Sequence, residues 1–150
     1  MNKVYITDAL RVAIYDLATR RNLMEIKKES ELIYKALKYD LIKVMDGKEE
    51  ILITRTIDRK IGKTYSLIKL ACEYGLPIVS HKNLKRMYEN EARDLFSREV
   101  TVMPVCKGGS YRGRECDIVL KDEGVSTQEV IDYFWPRRIK IVGISSVLYD

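Results

Sequence analysis

Apolar positions recur along the chain in two different rhythms. Up to Gly47 they fall at helical spacing. In TDALRVAIYDLATRR (7–21), Leu10, Ala13, Ile14 and Leu17 share one face, and Thr7 or Asp8 can cap the start. SELIYKALKYDLIKVM (30–45) repeats the pattern with Leu32, Ile33, Ala36, Leu37, Leu41, Val44 and Met45, and Asp46-Gly47 closes it. A pair of amphipathic helices is therefore predicted within residues 1–48. Beyond Gly47 short apolar runs alternate with helical patterns. Strands are predicted at ILIT (51–54), LPIVS (76–80), EVTVMPV (99–105), DIVLK (117–121) and IKIVGIS (139–145). Helices are predicted over 63–74, 81–96 and 126–134. In the first of these Leu67, Ile68, Leu70 and Ala71 form the buried face, and Gly75 stops the helix.

Apolar strands separated by helices imply parallel pairing through crossovers, with both sheet faces covered. The expected fold is α/β in three layers: a mostly parallel sheet flanked by helices, with an N-terminal helical segment. Residues 50–150 make the α/β core, and the helical segment packs with it as one domain. The glycines and arginines of CKGGSYRGRE (106–115) mark a mobile loop.

Chemistry enters at the first strand–helix junction. LITRTIDRKIGKTYSL (52–67) ends a strand, opens a helix and contains Gly62-Lys63-Thr64. Amides at a helix start converge on an anion, helped by the helix dipole. Gly62 lets the backbone approach phosphates, Lys63 reaches the outer phosphates, and Thr64 offers its hydroxyl to magnesium. The glycine that usually opens such a loop, five residues before Gly62, is replaced by Ile57. The second half of the site is CDIVLKDEG (116–124), a strand running into Asp122-Glu123. Acidic residues at the carboxyl end of a parallel strand sit beside the first loop of an open α/β sheet. Asp122 is assigned to the magnesium, and Glu123 to the attacking water. The last strand ends in Ser145-Ser146, and Ser145 is placed as a sensor of the terminal phosphate.

Composition narrows the classes. The chain of 150 residues is 46% hydrophobic and 33% charged, a globular balance, and its net charge of +5 suits a polyanionic partner such as a nucleotide or nucleic acid. Cys72, Cys106 and Cys116 form no Cys-x-x-Cys pair, and His81 is the single histidine, which argues against a disulfide framework, a zinc site or a histidine triad. His81 reads as a loop or helix-start residue. No apolar run approaches the ~20 residues of a membrane span, and MNKVYITDALRVAIYDL lacks a secretory pattern, so a cytoplasmic location with no membrane partner is expected. Tyr133, Phe134 and Trp135 stand beside Arg137 and Arg138; stacking plus charge is how single strands are bound, but core packing is the preferred reading.

The ensemble of Gly62-Lys63-Thr64, Asp122-Glu123 and a polar last-strand tip resembles the P-loop NTPases, in the division with a catalytic glutamate and an additional strand. The resemblance covers about residues 50 to 146. It implies a core strand order of 1-4-3-2 counted from strand 51–54, with the last strand beside the first. DRKIGKT (58–64) is similar to the variant loop of phage terminase-type ATPases, which can lack the first glycine; Arg59 corresponds to the loop arginine and Asp58 to the small polar residue. The resemblance implies nucleotide contacts from Arg59 through Lys60, Ile61, Gly62, Lys63 and Thr64 to Tyr65, with Thr64 and Asp122 on Mg2+ and Lys63 and Glu123 catalytic. Arg112 or Arg114 would serve as an arginine finger across a homo-oligomer interface. The division's fifth strand has no counterpart, and KVYIT (3–7) or the N-terminal helices are expected to cover the edge. The implied function is Mg2+-dependent ATP or GTP hydrolysis by a small phage-like protein that handles DNA. The alternative is a binding module without turnover that acts on nucleic acid or on a host protein, for example as an inhibitor of host defence. A nucleotide kinase ranks below both, because no lid or acceptor-site arginine pattern is evident.

Overall fold

A computed structural model describes residues 4–7, 23–56, 62–105 and 116–146. Thr7, expected as a cap of the helix 7–21, ends a strand, and the rest of that predicted helix, the loop 106–115 and loop residues 57–61 lie outside the described residues. In chain order the elements are β1 (Val4–Thr7), α1 (Leu23–Met45), β2 (Ile51–Thr56), α2 (Lys63–Tyr74), β3 (Ile78–Val79), α3 (Lys85–Phe96), β4 (Val102–Met103), β5 (Ile118–Lys121), α4 (Thr127–Phe134) and β6 (Lys140–Ser146). Single 3-10 turns, Lys82–Leu84 and Trp135–Arg137, precede α3 and follow α4.

The six described strands join one sheet in the order β1-β2-β6-β5-β3-β4, and every neighbouring pair is parallel. Counted from β2, the central order is the expected one: β6 lies beside β2, followed by β5 and β3. The outer edge of β2 is covered by β1, cut from KVYIT, with Val4 opposite Ile51 and Thr7 opposite Thr54.

Three differences from the sequence reading have local causes. Helix α1 starts at Leu23, well before Ser30, because LMEIKKE is made of good helix formers. Strands β3 and β4 shrink to two residues each, hemmed by Pro77 and Pro104, which cannot donate to a ladder. The helix 81–96 splits into a 3-10 turn and α3, with His81 as the cap that accepts from the Asn83 amide.

Right-handed crossovers explain the layering. The chain steps the same way across the sheet from β1 to β2, β2 to β3 and β3 to β4, and the three helices described along the way pack on one face. Ile33, Leu37, Leu41 and Val44 of α1 join Leu67, Ile68, Leu70 and Ala71 of α2 and Tyr88 and Ala92 of α3 there, against Leu52, Ile78, Leu120, Val142 and Ile144. From β5 to β6 the chain steps backwards, so α4 takes the opposite face, where Val130 and Phe134 meet Ile51, Ile53, Val119 and Ile141. The aromatic run sits here as core: Phe134 is buried, with Tyr133 and Trp135 packed against it. None of the described helices is long and apolar enough to cross a membrane.

Two of the buried polar side chains among the described residues, Lys121 and Asp40, have partners inside this frame. Lys121 is fully buried on β5, and its Nζ donates to the carbonyls of Ile144 (2.7 Å) and Asp122 (2.9 Å), tying β5 to β6. Gly143 makes room for it, since a Cβ there would stand 2.5 Å from Lys121 Cβ and 2.5 Å from its carbonyl oxygen. Asp40 is buried on the apolar stripe of α1 and accepts from Thr54 Oγ1 at 3.0 Å. Burial pushes the Asp40 carboxyl above its ordinary 3.8, opposed in part by the Thr54 bond and by Lys43. The folded chain therefore holds this proton more tightly than the unfolded chain does, and stability is lost as pH rises from the unfolded value through the folded one. Asp40→Asn removes the charge and keeps an acceptor for Thr54. Its thermal midpoint should exceed that of the wild type near neutral pH, and the gap should close as pH is lowered towards the ordinary carboxylate range. A gap independent of pH would refute this assignment.

Candidate functional site at the carboxyl edge of the sheet

Helix α2 begins at Lys63 with Gly62 as its N-cap, in the left-handed conformation (φ 54°). A side chain at 62 is excluded twice over: the φ is costly for an L residue, and a Cβ would lie 2.0 Å from Ser30 Oγ of α1. Ser66 Oγ donates to the Gly62 carbonyl (2.8 Å) or to the Ser30 carbonyl (3.1 Å), so α1, the glycine and the first turn of α2 are stapled together. Among the described residues no side chain caps this helix, and its first turn carries no acidic residue. By contrast Ser126 caps α4 through the Glu129 amide. An uncapped helix start with a lysine at its first position attracts anions.

The acidic tip meets this helix start. Lys63 Nζ lies 2.7 Å from Glu123 Oε2, a contact spanning 60 residues of sequence. The Lys63 side chain is only 2% exposed and that of Glu123 19%. Asp122, also buried, is held on two sides: Ser80 Oγ donates to Oδ2 at 2.9 Å, and the Glu123 amide donates to Oδ1 at 2.7 Å. Ser80 follows β3 and Asp122 follows β5. These neighbouring strands send their chains to opposite faces, α3 on one and α4 on the other, so their tips flank the kind of switch point where open α/β sheets bind ligands. Tyr88 of α3 reaches the same corner, with Asp122, Thr64 and Ser80 around its hydroxyl.

The other sequence-predicted residues divide by position. Thr64 follows Lys63 on α2 and borders the Tyr88 hydroxyl. Tyr65 is exposed, its ring 5.5 Å from that of Phe96. Arg59, Lys60 and Ile61 lie outside the described residues, as do Arg112 and Arg114. Ser145 is buried opposite Arg55, and strand alternation points it to the α4 side with Ile141. Ser146, opposite Thr56, shares the side of Val142, Ile144 and α2. Arg137 stacks on the Tyr133 ring with its guanidinium carbon 4.2 Å from the centroid and bonds the Tyr133 carbonyl. Sequence reasoning missed Ser80 and Tyr88. Ser80 was visible as the polar residue ending LPIVS, the same signal that singled out Asp122.

The oxygen donors at this corner suit a hard cation. Among the described residues no three of His, Cys, Asp and Glu gather in one place. Magnesium needs no such cage, because it takes one or two protein oxygens and completes its shell from phosphates and water. Asp122 and Thr64 fit that requirement. Comparison with protein-family models, with curated proteins and with solved structures returned no match to this chain.

Proposed function

We propose that the chain binds a nucleoside triphosphate with Mg2+ at the start of α2 and slowly hydrolyses its terminal phosphate. The observation that carries this reading is the Lys63–Glu123 contact at 2.7 Å, which joins the glycine-preceded helix start to the acidic strand tip at the carboxyl edge of a parallel sheet. The first-turn amides of α2 receive phosphate oxygens. Lys63 Nζ leaves Glu123 for the outer phosphates, because a polyanion outcompetes a single carboxylate for one ammonium. That exchange frees the Glu123 carboxylate to accept a proton from an attacking water and to aim it. Asp122, locked by Ser80 and the Glu123 amide, would hold the cation together with Thr64. When bound, Mg2+ neutralises charge on the phosphates. The ligand that captures Lys63 thus also releases the group needed for hydrolysis.

The same contact favours a second reading, a nucleotide-binding module without turnover, because the ion pair engages both reactive groups in the ligand-free chain. Release of inorganic phosphate from Mg·ATP and Mg·GTP separates the two. Saturable, EDTA-sensitive release, on the order of 10⁻⁴–10⁻³ per second in the absence of an arginine finger, is expected. Nucleotide binding without any release would select the module.

A further inference from the structure

Among the described residues the hydroxyl of Tyr88 is buried without a well-formed hydrogen bond. The ring is packed into the core between α2, α3 and the sheet, and the residue has no exposed surface. Among the described residues its Oη makes no hydrogen bond of normal geometry. A buried hydroxyl left in that state costs on the order of 1–3 kcal/mol, which a phenylalanine would not incur. The group nevertheless points at polar surroundings, the Asp122 carboxylate and the Thr64 and Ser80 hydroxyls.

We propose that Tyr88 is a positioning residue of the divalent-cation site, its hydroxyl exchanging a hydrogen bond with a water in the shell of the cation that Asp122 and Thr64 face. The proposal rests on the nucleotide-site reading above. A neutral phenol is a poor direct ligand beside a carboxylate, but it both donates and accepts. A cation-bound water carries two protons that need acceptors, and Mg2+ keeps several such waters. A trapped water needs two to four polar partners, and Tyr88, Asp122, Ser80 and Thr64 supply them. Ser80 acts through Asp122, fixing the carboxylate by its 2.9 Å bond to Oδ2. Outer-shell partners of this kind change metal affinity by about 10–100-fold.

Tyr88→Phe keeps the ring and deletes the hydroxyl. The probe is Mn2+, titrated by electron paramagnetic resonance with the protein alone and with a non-hydrolysable triphosphate bound. The variant should bind Mn2+ about 10–100-fold more weakly, keep its triphosphate affinity in EDTA, and unfold at the same temperature as the wild type or higher. Ser80→Ala, which leaves the aromatic core intact, should weaken Mn2+ in the same direction. Unchanged Mn2+ affinity in Tyr88→Phe would overturn the proposal and mark Tyr88 as a packing residue. Absence of Mn2+ binding by the wild type would overturn it too. If triphosphate still binds in either case, the nucleotide reading survives. If Mn2+ binds and weakens in the variant while no triphosphate binds, the cation site stands and the nucleotide reading falls.

Discussion

Replacing Glu123 by glutamine is expected to stop phosphate release while tightening nucleotide binding. The amide keeps the shape of the side chain but cannot take a proton from water, and general-base contributions of this kind are worth about 10²–10⁴-fold in rate. The opposite effect on affinity follows from the ligand-free geometry. In the wild type a phosphate must displace Glu123 from Lys63 across a 2.7 Å ion pair. With glutamine that competition loses its charge, and triphosphate affinity should rise several-fold. The ligand-free variant should also be less stable, because Lys63 is left almost fully buried without a counter-charge. Added nucleotide should therefore raise its thermal midpoint more than it raises that of the wild type. Single-turnover phosphate release and thermal shifts, measured on the same preparations, check both halves. Full retention of turnover in Glu123→Gln would remove Glu123 from the reaction.

Lys63→Ala should have the largest effect on binding. Truncating one partner of a buried charge-assisted contact commonly costs about 2–5 kcal/mol, so triphosphate affinity should fall by at least roughly 30-fold, whether or not Mg2+ is present. The variant should also lose about 2 kcal/mol of stability, less than the ~3–5 kcal/mol of a wholly dry pair, because Glu123 keeps some contact with water. Urea denaturation and equilibrium dialysis measure the two losses separately. Restored binding in the double variant Lys63→Ala, Glu123→Gln would show that Glu123 repulsion, not the missing amine, caused the defect.

Much of the frame was legible in the sequence. The helix over 63–74 appears with those ends, because a buried stripe at 67, 68, 70 and 71 and a left-handed glycine at 75 are both local signals. The sheet order was legible through the resemblance, and right-handed crossovers then fix the side on which each helix lies. What stayed hidden depends on distant partners. Asp40 occupies a stripe position between Leu37 and Val44, and only its contact with Thr54 explains a carboxylate there. Lys121 ends an apolar strand and looks like a surface lysine until Gly143, on the next strand, is seen to leave space for it. Tyr88 lies on a helix half of whose residues are charged, so nothing local distinguishes a tyrosine aimed at Asp122 from one filling the core. The two serines ending β6 illustrate the same limit. Their alternation was readable, but which one faces α2 required knowing which face α2 covers.

The central claim is that the start of α2 and the tip of β5 together hold a magnesium-bound triphosphate. Isothermal titration of a non-hydrolysable ATP analogue into the wild-type chain, with Mg2+ and then with EDTA, tests it most directly. The account predicts one site per chain, with affinity falling by an order of magnitude or more when the metal is removed. No binding of ATP or GTP analogues to either wild type or Glu123→Gln, at millimolar ligand and in the presence of Mg2+, would contradict it.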